Sequence, residues 1–152
     1  MNRKIIVAVD ASPSAPGVLS WALDQADSSD EVVALSVWNL TLLGGFENPF
    51  ANLHTAQVAA AGRVNSLVEE VSRDRWENHR SAVPVRVDVR HGDPVTELVK
   101  ASESADLIVL GNSHHSGLGE LGSVARSVVR GAKCAVAMVP TADTEAVPAA
   151  TS

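Results

Sequence analysis

A chain of 152 residues with a formal net charge of −6 lacks the clustered cations that nonspecific binding to nucleic acid or to an anionic membrane requires. Its length fits one domain burying about two thirds of its unfolded surface, and 45% hydrophobic residues with only 3% aromatic ones predict an aliphatic core. A single cysteine, Cys134, excludes an intrachain disulfide; with no charged-then-apolar leader and no run of about 18 apolar residues, a cytoplasmic protein is expected.

Lys4 to Val9 is a short apolar run of the kind that forms a strand buried on both faces. The period then changes: Ala15, Val18, Leu19, Ala22, Leu23 and Ala26 recur at helical spacing, with Ser12 or Ser14 as N-cap and Pro13 or Pro16 near the first turn. Glu31 to Trp38 reads as a second strand, followed by an irregular segment from Asn39 to Asn52 that contains Gly44, Gly45 and Pro49. From Leu53 to about Asn78, Ala56, Ala60, Val64, Leu67, Val68 and Val71 mark the inner face of a long helix, with Glu69, Glu70, Arg73 and Asp74 on its wet side.

Pro84 to Arg90 alternates Val85, Val87 and Val89 with Arg86, Asp88 and Arg90, the period of an edge strand wet on one side. Asp93 as N-cap and Pro94 at the first helical position start a helix through Val95, Leu98, Val99 and Ala105. A strand from Leu107 to Gly111, a helix from Ser123 to Arg130 and a strand from Ala135 to Val139 follow, and the Ala-, Thr- and Pro-rich tail 141–152 is expected to be disordered. Five strands alternating with four helices predict an α/β domain over 1–140, with a five-stranded parallel sheet, right-handed crossovers and helices on both faces. An order 3-2-1-4-5 places the reversal of winding, where ligands bind in such sheets, between the strands that end at Asp10 and Gly111.

Those two ends carry the candidate ligand groups. The fourth strand empties into a glycine-studded loop that closes at Gly122-Ser123 and opens a helix, and unpaired N–H groups at a helix start hold an anion without a basic side chain. Asp10, in Asp10-Ala-Ser-Pro-Ser14, reads from position alone as a turn or cap carboxylate, and Gly122-Ser123 equally as a plain capping turn.

In Ile5-Ile-Val-Ala-Val-Asp10-Ala-Ser, Asp106-Leu-Ile-Val-Leu-Gly111, Gly122-Ser123-Val124 and the closing Cys134-Ala-Val-Ala-Met-Val-Pro140, the chain resembles the universal stress protein family from Lys4 to Pro140. The resemblance implies a Rossmann-like, adenine nucleotide alpha hydrolase-like fold, a homodimer formed through the last strand, and a cytoplasmic stress-response protein. It also implies a bound ATP with Mg²⁺, with Asp10 at the nucleoside, the Val37 backbone at adenine, and Gly111, Gly122, Ser123 and Val124 at the phosphates. Members that bind ATP share a loop of Gly, two residues, Gly, nine residues, Gly and then Ser or Thr. Here His114 occupies the second glycine position, and Gly122 follows Gly111 by eleven residues instead of thirteen. A glycine there lets backbone approach phosphate, so both departures weaken the cradle, while Gly117, Gly119 and the imidazoles of His114 or His115 offer substitutes in another register.

Other constellations point to no chemistry. His91 and the pair His114-His115 close strands separated by two others, about 14 Å, too far for one metal ion, and His54 and His79 lie near opposite ends of one helix. Ser12, Ser14, Ser113 and Ser123 stand in turns where serine caps. Cys134 reads as a small buried hydrophobe. No Walker loop is present, no lysine lies between Lys100 and Lys133, and Arg126 is the nearest cation, so any ATP hydrolysis is expected to be slow. Trp21, Trp38 and Trp76 are expected to pack, with Trp38 also placed to stack on a base or to plug the slot. Three functions follow: a dimeric nucleotide-responsive regulator acting on an unidentified protein partner, a dimeric interaction module without nucleotide, or a slow ATPase. No catalytic and no metal-binding residue is assigned.

Overall fold

The computed structural model describes residues 2–10, 12–39, 49–80, 83–112 and 123–140. The tail 141–152, most of the segment between Asn39 and Asn52, and His114, His115 and Gly122 lie outside the described residues. Strands β1 (Lys4–Ala8), β2 (Glu31–Trp38), β3 (Val85–His91), β4 (Leu107–Asn112) and β5 (Ala135–Pro140) alternate with helices α1 (Ala15–Gln25), α2 (Pro49–Glu77), α3 (Pro94–Ser102) and α4 (Ser123–Gly131). Every pairing is parallel, as the alternation predicts, and the order is β3-β2-β1-β4-β5, as the family resemblance implies.

Strand side chains point alternately to the two faces. Ile5, Val7, Val9, Val32, Ala34, Val109 and Val139 pack under α1 and α2, against Val18, Leu19, Ala22, Leu23, Val64 and Val71. Ile6, Val33, Leu35, Ile108 and Leu110 pack under α3 and α4, against Leu98, Ala101, Ala125 and Val128. Both faces of the central strands are therefore buried, which explains why β1 is a continuous apolar run. On the edge strand β3 the polar face is held by ions: Arg90 pairs with Asp88 at 2.9 Å and with Glu97 of α3 at 3.3 Å, and Arg86 with Glu31 at 3.1 Å.

Local signals explain most boundaries. Asp93 caps α3 by accepting from the Thr96 amide at 2.9 Å, with Pro94 in the first turn. Helix α2 begins at Pro49, four residues before the expected Leu53, because a proline is well placed in a first helical turn. Its other end is a Schellman motif: the Arg80 amide donates to the Arg75 carbonyl at 2.8 Å and the His79 amide to the Trp76 carbonyl at 3.1 Å. His79 fills the left-handed position (φ 59°) usually given to glycine, so its role is to end the helix.

Near that end Trp76 departs from expectation, and the reason lies in its neighbour Arg75. Arg75 is buried, 3% exposed, and donates to Asp24 at 2.8 Å and to the Ser20 carbonyl and hydroxyl at 3.2 Å, tying α2 to α1. With Arg75 turned inward, Trp76, about 100° further round the helix, is turned outward and is 73% exposed instead of packed. Trp21, by contrast, does pack against the α1–α2 side of the core.

Candidate functional site

The chain leaves β1 at Ala8, where the Val9 amide donates to the Leu35 carbonyl at 2.9 Å. Backbone groups of alternate residues in a strand point the same way, so Val37, two residues beyond Leu35, also directs its N–H and C=O towards the β1 side. Strand β1 has already ended there. The intervening residues face β3, as the Gly92 amide donating to the Trp38 carbonyl at 2.9 Å confirms. Val37 thus presents a donor and an acceptor side by side to the space past the end of β1.

That space is a cleft of about 820 Å³, lined by Asp10, Ser12 and Pro13 after β1, Ser36, Val37, Trp38 and Asn39 at the end of β2, and a face of α2 that includes Arg63. Its volume lies within the range of small-molecule sites, about 300–1,000 Å³. Asp10 is exposed and its carboxylate accepts from the Ser12 amide at 3.0 Å, which makes it the turn carboxylate that its position suggests and also part of the cleft wall. Ser14 is the N-cap of α1, but its hydroxyl lies 2.9 Å from that of Ser12 and makes no capping bond to the helix amides.

Trp38 is both wall and clamp. Its ring lies 4.5 Å from the ring of His91, and its indole N–H donates to the Gln57 side-chain carbonyl at 2.6 Å. Gln57 in turn donates to the Val89 carbonyl at 3.2 Å, so the ends of β2 and β3 and helix α2 are locked together. The indole is therefore held in a fixed wall position, and His91 is the ring it packs on. No group of His, Cys, Asp and Glu suited to a metal ion occurs among the described residues.

Asp10 and Val37 are brought together as expected. Gly111 is the penultimate residue of β4, which runs one residue past the expected end to Asn112, on the other side of β1, and Ser123 and Val124 open α4 with exposed side chains; none of the three lines the described cleft, and Gly122 lies outside the described residues. Helix α2 contributes the wall that the sequence reading did not anticipate: Ala59, Gly62, Arg63, Ser66, Leu67 and Glu70, spaced at three and four residues along one helix face. The spacing was visible, but it was interleaved with the buried face of Ala60, Val64 and Val71. Cys134 is partly buried, and that burial, aided by the nearby Asp106 charge, pushes its thiol up from the ordinary value.

Residues 1–140 match the model of the universal stress protein family. The chain belongs to this family. The universal stress protein Rv2028c of Mycobacterium tuberculosis is 32% identical over 140 residues, which cover 89% of this chain and 47% of that protein, so the chain spans about half the length of the curated relatives it matches. A universal stress protein solved in complex with cAMP superposes with a TM-score of 0.59 at 24% identity, over 93% of this chain and 98% of that one. A family member from Arabidopsis thaliana, At3g01520, solved with AMP bound, superposes with a TM-score of 0.60 at 18% identity, over 96% of both chains. At these identities the likeness is one of fold, the adenine nucleotide alpha hydrolase-like fold.

Proposed function

We propose that this universal stress protein is a cytoplasmic regulator that binds an adenine nucleotide in the cleft at the ends of β1 and β2 and signals occupancy to a protein partner. The observation that carries the reading is the backbone of Val37, whose donor and acceptor point past the end of β1 beside a cleft of fitting size. The Watson–Crick edge of adenine offers an acceptor next to a donor and matches such a backbone pair, with Asp10 at hand for ribose hydroxyls. The AMP and cAMP bound by two relatives of the same fold support the choice of base.

A ligand in the cleft touches the turn after β1, the end of β2 and helix α2 together, so its binding favours the arrangement in which those three are apposed, and a partner reading that surface reads occupancy. Dimerisation through β5 belongs to the same proposal. This strand is the sheet edge opposite β3, and it is short and apolar, Ala135-Val-Ala-Met-Val-Pro140, the kind of edge that a second copy covers by pairing. Light scattering checks it: a mass of two chains supports pairing, and a monomer at working concentration removes it.

Calorimetric titration of nucleotide-stripped protein with AMP and with Mg-ATP tests the binding. Saturable heat with either one, absent with the guanine counterpart, supports the proposal. Failure of every adenine nucleotide overturns it and leaves the second reading, a dimeric interaction module. That second reading draws support from His114 at a glycine position and from the shortened loop between Gly111 and Gly122.

A further inference from the structure

We propose that the α2 wall of the cleft holds the ligand's phosphate through Arg63, and that the cleft takes nucleotides with one phosphate in preference to a triphosphate. The inference rests on the adenine-nucleotide reading given above and adds to it a cation and a charge class.

Arg63 lines the cleft from the middle of α2 and forms no ion pair among the described residues. Five of the other arginines do: Arg3 pairs with Asp30, Arg75 and Arg80 with Asp24, Arg86 with Glu31 and Arg90 with Asp88. A guanidinium with five N–H donors and no ion-pair partner among the described residues, on the rim of a cavity, is suited to an oxyanion brought by a ligand.

Gly62, its neighbour on the same wall, is a second and independent observation. A glycine inside a helix weakens it relative to alanine, and one kept there for steric reasons would show an atom where its Cβ would fall. At Gly62 nothing among the described residues lies within 4 Å of that position. The packing of the described residues thus gives no reason for the glycine, and the space before it is cleft space beside Arg63. A ligand lying across Gly62 approaches the helix backbone closely and brings its anion to the guanidinium.

The charge class follows from the rest of the lining. Two carboxylates, Asp10 and Glu70, face the cleft against the one guanidinium among its lining residues. Residues 113–122 contain no lysine or arginine. A single phosphate ester carries a charge of about −1.5 to −2, of which Arg63 offsets half or somewhat more, while a triphosphate without Mg²⁺ brings roughly twice that charge against the two carboxylates.

The test titrates purified wild type, Arg63→Gln, Arg63→Lys and Gly62→Ala with adenosine, AMP and ATP in buffer free of Mg²⁺. Wild type is expected to bind AMP more tightly than this metal-free ATP. Arg63→Gln is expected to lose about tenfold or more in AMP affinity with adenosine affinity unchanged, and Arg63→Lys to recover part of it. Gly62→Ala is expected to raise the thermal midpoint by about 2–4 °C while weakening AMP, because it strengthens the helix and fills ligand space. Wild-type AMP affinity in Arg63→Gln, or an equal loss for adenosine and AMP, overturns the role of Arg63 and leaves the nucleotide reading standing. Tighter binding of metal-free ATP than of AMP by wild type overturns the charge class. Failure of wild type to bind any of the three ligands removes both.

Discussion

At the amino ends of the strands, side chains tie down what enters the sheet, whereas at the carboxyl ends they leave space. Asp30, just before β2, accepts from the Arg3 amide at 3.0 Å, the Arg3 guanidinium at 2.8 Å and the Asp27 amide at 3.0 Å. Asp106, just before β4, accepts from the Lys4 amide at 2.8 Å, and buried Ser102 accepts from the Lys133 amide at 2.8 Å ahead of β5. The opposite end has a cleft of about 820 Å³ and, among the described residues, a carboxylate bonded within its own turn and an arginine without an ion pair. Satisfied polar groups at one end and open ones at the other separate the labour of stability from that of binding within one sheet.

Trp38 breaks that separation most strongly. It belongs to the carboxyl end yet is 6% exposed, packed at a tilt against His91 and bonded to Gln57. Trp38→Ala is expected to destabilise the protein by about 3–5 kcal/mol, measured by urea unfolding, and to weaken the ligand as well. A loss below about 1 kcal/mol would mean that the cleft wall is not part of the folded core.

Ser102 should give the reverse pattern. Its hydroxyl donates to the Val99 carbonyl at 2.6 Å while accepting from Lys133, and it is 1% exposed. Ser102→Ala leaves the Lys133 amide without its acceptor and should lose about 1–3 kcal/mol, with the Kd for nucleotide unchanged. A shifted Kd would show that the two ends of the sheet are coupled.

The amino end also predicts an acid response. The Arg3 guanidinium, together with the amides of Asp27 and Arg3, holds the Asp30 carboxyl well below the usual carboxylate range. A carboxyl depressed on folding contributes stability that is fully present above its unfolded pKa of about 4, and that is lost as pH falls through the folded value. The thermal midpoint of wild type should therefore drop more steeply below about pH 4 than that of Asp30→Asn, the two curves converging in acid. Parallel curves from pH 6 to 2 would show that the Asp30 network is not what responds to acid.

The same contrast decides what was legible in the sequence. Strand β1 and the alternating arginines of β3 were legible as a buried strand and an edge strand because burial on two faces or one leaves a local pattern in the chain. The sheet order, and the placing of Asp10 and Val37 at one site, came from the family resemblance. Arg75 and Arg63 did not follow, because their status depends on a partner far along the chain. Asp24, which takes Arg75 inward, is 51 residues away, and no local period distinguishes an arginine that meets a carboxylate from one that meets a cavity. Gly62 was equally silent, since a helical glycine reads the same whether its missing Cβ faces solvent or a cleft.

Asp10→Ala is the mildest change in stability and the most selective for the site. The carboxylate is exposed and its bond to the Ser12 amide lies on the surface, so the substitution should move unfolding by no more than about 0.5 kcal/mol. If Asp10 takes a ribose hydroxyl, losing that charged acceptor should weaken adenosine and AMP alike by about tenfold, since both carry the sugar. Arg63→Gln should spare adenosine, so the two variants divide the cleft into a sugar end and a phosphate end. If Asp10→Ala left adenosine affinity intact, the carboxylate would be a turn residue alone, and the sugar would be held by backbone groups at the end of β2.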